Sequence, residues 1–262
     1  MKIFIDSGDT AEIRKYLSWG VCDGVTTNPT ILMKAGVASR AEMKARSQEI
    51  AELIHPRPLS VETTSDDPEE ITRQVHEYAT WAPNVAVKIT ITDRKGGSLL
   101  PVIYRHAVEG VRINVTAMTT LNQAMLAGIA LENGTRGAAT KSWGPHFLSV
   151  FGGRISEEQG VARTTEVLRT LRQWLDFHHF SSEIIVGSVR SPENIDSWAT
   201  TGAHILTIPP EVLAKSQLAG RTKETVVQFL EDAKASLASL ERADVSAAPV
   251  YAAETVRSLA RG

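Results

Sequence analysis

Eight short runs rich in apolar and β-branched residues punctuate the chain: KIFID (2–6), GVTTN (24–28), LSVET (59–63), VAVKI (85–89), RINVT (112–116), FLSVF (147–151), EIIVG (183–187) and HILTI (204–208). Amphipathic stretches such as TAEIRKYLSW, PEEITRQVHEYATW, TTLNQAMLAGIALENG and TTEVLRTLRQWLDF lie between them. Several carry Ser, Thr or Asp near the start, the side chains that cap helix N-termini. This alternation predicts parallel strands joined by helical crossovers. Eight such units in about 210 residues fit a closed (β/α)8 barrel better than an open doubly wound sheet. An open sheet would usually carry a Gly-rich dinucleotide fingerprint after its first strand, where this chain has DSGDT.

The expected organisation is one barrel domain over residues 1–262, with 221–262 as a helical extension. That extension comprises a long helix, roughly Arg221 to Glu241, a small-residue linker ADVSAAPV and a segment YAAETVRSLAR. It exceeds what a barrel needs, and three fates are open: packing on its own barrel, packing on a neighbouring subunit, or fraying. A homo-oligomer is the expected assembly.

Composition narrows the function classes. A net charge of −2 over 262 residues offers no electrostatic footprint for nucleic acid or an anionic membrane. The longest apolar runs fall far short of the ~20 residues of a membrane span, and the acidic start MKIFIDSGD reads as folded from residue 1. Cys22 is the only cysteine, so no intramolecular disulfide forms, and a cytoplasmic setting is expected.

In a (β/α)8 barrel the reacting groups stand at the C-terminal ends of the strands. Asp6, Asn28, Glu62, Lys88, Asn114 with Thr116, Ser149, and Ser188 with Arg190 all lie at or just after strand ends. Seven of the eight strands therefore supply polar side chains to one rim. Lys88 is the most informative of them. The strand period of two puts Val85, Val87 and Ile89 on one face and Ala86, Lys88 and Thr90 on the other. Partial desolvation disfavours an ammonium, and the neutral amine can attack a carbonyl to form a Schiff base. A buried ion pair is the alternative reading of the same position.

The neighbouring groups are similarly two-sided. Asp6 and Glu62 can serve as an acid/base pair beside the amine, or Asp6 can cap the next helix while Glu62 neutralises Lys88. Asn114 and Thr116 share a strand face and can orient water or a sugar hydroxyl. FGGRISEE and GSVRSPEN place Arg154, and Ser188 with Arg190, at strand-to-helix junctions. Such junctions suit a phosphate ester, although strand-end arginines also pair with nearby carboxylates. The seven histidines are scattered along the chain, and no catalytic metal is expected.

Taken in order, DGVTTNPT, SVETT, VAVKIT, INVT, FGGRI, VGSVRSPENI and LTIPPEVL resemble the transaldolase family, in particular the short bacterial transaldolases related to fructose 6-phosphate aldolase. The resemblance implies a (β/α)8 barrel in which Lys88 forms the Schiff base with a ketose donor. It implies that Asp6 is the general acid/base at the hydroxyl next to the cleaved bond, and that Glu62 with Thr116 holds the catalytic water. Asn28 and Asn114 would bind donor hydroxyls or the Schiff-base intermediate, Thr26 and Ser149 would line the pocket, and Arg154, Ser188 and Arg190 would bind phosphate. Sugar phosphates are then the partners, with no cofactor. In the aldolase branch, the position of Glu62 resembles glutamine and a tyrosine on the sixth-strand loop helps hold water. Glu62 and Phe151 here favour the transferase.

The chain departs from that pattern in places. Thr90 stands where proline is usual, DRKGGSLL carries a Gly pair, and FGGRI replaces an FVGRI-like form, an extra glycine expected to loosen the phosphate loop or admit a different sugar. LENGTRGAATKSWGPH is about ten residues longer than such a connection needs. Its place before a strand puts it at the N-terminal face, where it would affect packing or assembly. Besides the transferase, an aldolase releasing dihydroxyacetone and a silent sugar-phosphate-binding barrel are the competing functions.

Overall fold

The computed structural model describes residues 1–139 and 144–246. The first half contains β1 (Lys2–Asp6), α1 (Thr10–Ser18), β2 (Gly24–Thr26), α2 (Pro29–Lys34), α3 (Arg40–Ile54), β3 (Leu59–Glu62), α4 (Pro68–Ala79), β4 (Val85–Thr90) and α5 (Leu100–Val108). Then follow β5 (Ile113–Met118), α6 (Leu121–Gly137), β6 (Phe147–Phe151), α7 (Gly152–Gln159) and α8 (Val161–His178). The last elements are β7 (Glu183–Gly187), α9 (Pro192–Ala199), β8 (Ile205–Ile208), α10 (Pro210–Ser216) and α11 (Gly220–Ser246). The strands close into a parallel barrel in chain order, β8 pairing back onto β1. The fold is the expected (β/α)8 barrel.

Side-chain alternation divides the barrel into two apolar regions. Val25, Val61, Val87, Ile89, Val115 and Leu206 belong to the large core that includes the helices. Phe4, Ala86, Phe147, Ile185 and Ile205 form a separate cluster inside the barrel. Phe4 and Phe147 meet edge to face with ring centroids 5.9 Å apart, and the Arg112 guanidinium lies 4.5 Å from the Phe147 ring. Two residues beyond each member of this inner cluster, on the same face and nearer the C-terminal end, stand Asp6, Lys88, Ser149, Gly187 and Thr207. The barrel thus has an apolar floor and a polar mouth.

Gly24 makes room for that floor. It pairs with Phe4 in the β1–β2 ladder, and a Cβ there would stand 2.6 Å from Phe4 Cε1. The expected strand GVTTN is shorter than its motif, ending at Thr26. Thr27 still bonds Ser60 O through its N–H at 2.9 Å, but Asn28 caps α2, its Oδ1 accepting from the Ile31 N–H at 2.9 Å. An Asn N-cap followed by Pro at the first helical position is a strong helix start, and it overrides the β-branched run before it.

The connection after β4 accounts for the Gly pair. Asp93 Oδ1 accepts from the N–H groups of Lys95 and Gly97 at 2.8 and 2.7 Å, while Gly96 sits at φ +84°. Arg94 then forks onto Asp66 through two 2.6 Å bonds, tying the loop after β4 to the loop after β3. These hydrogen bonds hold the Asp66 carboxyl well below the usual carboxylate range.

Of LENGTRGAATKSWGPH, residues 140–143 lie outside the described set. The flanking parts attach to the foot of the barrel. His146 Nδ1 accepts from the Ile113 N–H at 3.0 Å and its Nε2 lies 3.0 Å from Thr135 Oγ1. Burial, with Arg112 nearby, pushes this imidazole down to about 4.

Residues Met1–Ser216 form one compact unit, and a second begins at Gln217. In the latter, α11 starts and ends beyond the expected Arg221–Glu241, taking in Ala243–Ser246 of ADVSAAPV. Its Val226, Phe229, Leu230, Leu237 and Leu240 are exposed. Residues 247–262, including YAAETVRSLAR, lie outside the described set. No described helix is long and apolar enough to cross a membrane.

Gly24→Ala is expected to lower unfolding stability by about 1–3 kcal/mol, because the added methyl must displace the Phe4 ring. Chemical denaturation measures the loss, and Phe4→Leu in the same chain should recover part of it. An undiminished midpoint in Gly24→Ala would show that the interior is not close-packed here.

Candidate active site

Lys88 and Glu62 are register partners on β4 and β3, and their side chains meet at the mouth. Lys88 Nζ lies 2.9 Å from Glu62 Oε2 and donates to Thr27 O at 3.1 Å. Lys88 is only 5% exposed, so the inward orientation read from strand period is the observed one. The ion pair is observed as well. A lysine held by one carboxylate and one carbonyl has a fixed amine position rather than a mobile surface charge.

Asp6 stands at the end of β1 and accepts from Thr26 Oγ1 at 2.6 Å. Thr26 Oγ1 is in turn 2.5 Å from Thr207 Oγ1 on β8. With the Thr26 proton given to Asp6, the Thr207 hydroxyl is the donor in the second bond. Asp6 does not cap α1; that role belongs to Asp9, which accepts from the Ala11 N–H at 2.8 Å. Burial raises the Asp6 carboxyl above its ordinary value, aided by Glu62 and Glu211, against the opposing pull of Lys88 and Thr26. A carboxyl poised in this way can take and return a proton.

On the far wall, Asn114 is buried and held at both ends of its amide. Its Nδ2 donates to Ser60 Oγ at 3.0 Å and its Oδ1 accepts from Ser149 Oγ at 2.8 Å. Thr116 Oγ1, two residues on, is buried with no hydrogen-bond partner among the described residues. A cavity of about 560 Å³ is lined by Glu62, Thr63, Thr90, Thr92, Arg94 and Ala117, among others.

Arg154, Ser188 and Arg190 form a second group at the ends of β6 and β7. Arg190 Nε donates to Ser188 Oγ at 3.3 Å. Both guanidinium groups converge on Glu157, at 2.5 Å for Arg190 and 3.5 Å for Arg154. Carboxylate pairing, the plainer of the two readings for these arginines, is thus what the side chains make. Both arginines remain exposed beside the start of α7, whose first turn has no side-chain cap. The uncapped N–H groups of that turn and two arginine forks are the donors an anion needs.

The glycines of FGGRI do not loosen this junction. A Cβ at Gly152 would lie 2.9 Å from Val186 Cγ1 and 3.1 Å from the buried Trp198 ring, and one at Gly153 would lie 2.0 Å from Ser188 O. Their lack of side chains lets α7 seat directly on β7, which brings Arg154 beside Ser188 and Arg190.

The barrel therefore collects Asp6, Thr26, Glu62, Lys88, Asn114, Thr116 and Ser149 at its mouth, while Asn28 is a helix cap at the rim. Thr207, Ser60, the Thr27 carbonyl and Glu157 complete the arrangement. Thr207 was accessible to the strand-period argument, because it follows the inward Ile205 by two. Glu157 carried no comparable sequence signal. The scattered histidines are also corrected: His76 on α4 and His106 on α5 meet at Glu109, because these two helices pack side by side.

Residues 3–260 match the family described as transaldolase/fructose-6-phosphate aldolase. A protein of Dehalococcoides mccartyi named probable transaldolase is 34% identical over 236 residues, spanning 89% of this chain and 98% of its own length. One of Roseiflexus sp. (strain RS-1) with the same name is 35% identical over 237 residues, spanning 90% and 98%. Among solved structures, thiamine phosphate pyrophosphorylase from Pyrococcus furiosus superposes with a TM-score of 0.51 at 12% identity, covering 79% of this chain and 85% of its own. That last likeness is one of fold alone.

Thr26→Val removes a donor that lowers the Asp6 pKa, so the Asp6 carboxyl should titrate at higher pH in the variant than in the parent chain. Carbon-13 NMR of the aspartate carboxyls reads the shift directly. An unchanged or lower value would remove Thr26 from the control of Asp6.

Proposed function

The chain belongs to the transaldolase/fructose-6-phosphate aldolase family, and from that premise we propose that it moves a dihydroxyacetone unit from a ketose phosphate to an aldose phosphate through a Schiff base on Lys88. Fructose 6-phosphate and sedoheptulose 7-phosphate are the donors in this reading. The observation that carries it is the buried Lys88 amine, 2.9 Å from Glu62 and facing the same mouth as Asp6.

The steps follow from that geometry. Lys88 Nζ, having released a proton to Glu62, adds to the donor C2 carbonyl, and a second proton passes from the nitrogen to the oxygen to give a carbinolamine. Glu62 delivers a proton to the departing hydroxyl through a water that it shares with Thr116, whose buried hydroxyl has a free hydrogen-bonding capacity. Loss of water leaves the iminium ion. Asp6 then takes the proton of the C4 hydroxyl, the C3–C4 bond breaks, and its electron pair enters the iminium as the enamine. The aldose product leaves and an acceptor aldose enters. The enamine carbon attacks its aldehyde while Asp6 returns the proton to the new alkoxide. Hydrolysis of the second Schiff base releases the new ketose phosphate, and no cofactor enters the balance.

Asn114, fixed by Ser60 and Ser149, holds the donor hydroxyls, together with Asn28 from the rim and Thr26 from the wall. Arg154, Ser188, Arg190 and the first turn of α7 take the phosphate, which replaces Glu157 as the arginines' anionic partner. Glu62 and Phe151 favour transfer over release, since the enamine must persist until the acceptor arrives. The names of the relatives support the same choice. A cytoplasmic homo-oligomer is part of this reading.

Borohydride reduction in the presence of fructose 6-phosphate should add the reduced dihydroxyacetone fragment to Lys88, located by peptide mass measurement. An unmodified chain under turnover conditions would sink the mechanism. Lys88→Ala should abolish transfer, and Glu62→Gln should slow it by about 10²–10⁴-fold through lost proton transfer. Breakdown of donor without an acceptor, as fast as transfer with one, would identify the aldolase instead.

A further inference from the structure

We propose that His76, His106 and Glu109 form a binding site for a divalent cation of the zinc class, which clips α4 to α5 at the end of the barrel opposite the mouth. His76 lies in the last turn of α4, His106 in the last turn of α5, and Glu109 caps α5. Helices in a (β/α)8 barrel run antiparallel to the strands, so their C-terminal ends lie away from the catalytic rim.

The argument begins with hydrogen-bond valence. His106 is fully buried, and both of its ring nitrogens face oxygen: Nδ1 is 2.7 Å from Glu109 Oε2, and Nε2 is 3.3 Å from Thr72 Oγ1. An ionised carboxylate only accepts. The Thr72 hydroxyl has one proton, and its shorter contact, 2.8 Å, is with Pro68 O. Toward His106 it is therefore an acceptor as well. A neutral imidazole has one N–H and cannot serve both oxygens.

In the tautomer whose Nε2–H donates to Thr72, the Nδ1 lone pair faces Glu109 Oε2 and is open to a cation. The same Glu109 Oε2 is also 2.9 Å from His76 Nε2. Two imidazole nitrogens and one carboxylate thus converge, with candidate ligand atoms all within 4.8 Å of one another. A cation that takes His106 Nδ1, His76 Nε2 and the Glu109 carboxylate as ligands leaves the His106 Nε2–H for Thr72, so every contact is matched.

The donor set selects the class of ion. Two imidazoles and a carboxylate suit zinc and its neighbours, whereas calcium and magnesium take oxygen shells. Ligand atoms around tetrahedral zinc are about 3.3 Å apart, so the contacts to Glu109 open by roughly half an ångström on binding. His106 Nε2–H to Thr72 becomes the outer hydrogen bond that orients a metal-bound imidazole. His76 and Glu109 are partly exposed, which gives the ion an entry path and leaves a fourth position to solvent. Two helix C-termini also favour positive charge at this spot.

The test uses the whole chain after treatment with a chelator. Zn²⁺ titrated by calorimetry should bind with one ion per chain at this site, and Co²⁺ should give the intense visible absorption of a tetrahedral centre. His76→Ala and Glu109→Gln should each weaken Zn²⁺ binding at least tenfold, and Zn²⁺ should raise the melting temperature of the parent chain but not of His76→Ala. His76 is exposed, so its replacement leaves the core intact. Failure to bind either ion would reduce the cluster to a proton-bridged pair and overturn the proposal. Binding unaltered in His76→Ala but lost in His178→Ala would place the ion elsewhere and also overturn it. The site does not rest on the Schiff-base reading.

Discussion

Phe4 can occupy the lower interior of the barrel because Gly24, its partner across the β1–β2 ladder, has no side chain to meet it. The ring then reaches Phe147 on the opposite side, and Ala86, Ile185 and Ile205 close the remaining space. This floor sets the face on which every inward residue falls. A slip of one residue would send the valines inward and Asp6, Lys88 and Thr207 outward into the helix layer, where their polar groups would lack partners. The chemistry of the mouth is thus registered by an apolar contact one layer below it.

Above the floor, one lysine is shared by two carboxyl groups. Glu62 has the direct contact with Lys88, and Asp6 stands farther along the rim with a threonine as its bonded neighbour. The unequal division separates their tasks. In the proposed reaction, the carboxylate in contact with the amine assists its addition and dehydration, whereas Asp6, raised by burial, holds the proton that a sugar hydroxyl gives up. Environment divides the work between two chemically similar groups.

Much of this was legible because a barrel interior obeys a simple period. Strand alternation located Lys88, and the same rule applied to HILTI leads from Ile205 to Thr207. Local signals could also mislead. The β-branched GVTTN looks like one strand, yet Asn28 and Pro29 begin a helix, and the Asn28 amide oxygen is committed to Ile31. Other features depend on distance in sequence. His76 and His106 are brought together only when α4 and α5 lie side by side, and no spacing rule links residues on separate crossover helices. Glu157 resembles any surface glutamate until α7 and the β7 loop place it between two arginines. Gly152 looked permissive, but its lack of a side chain is occupied by Trp198.

The close approach of Gly153 to the Ser188 carbonyl ties the two halves of the arginine rim together. Ser188 sits at φ 60°, a backbone state that a neighbouring chain must hold, and Gly153 is that neighbour. A side chain at 153 meets that carbonyl whichever residue stands at 188, so the helix start is anchored to the β7 loop by backbone rather than by side-chain choice.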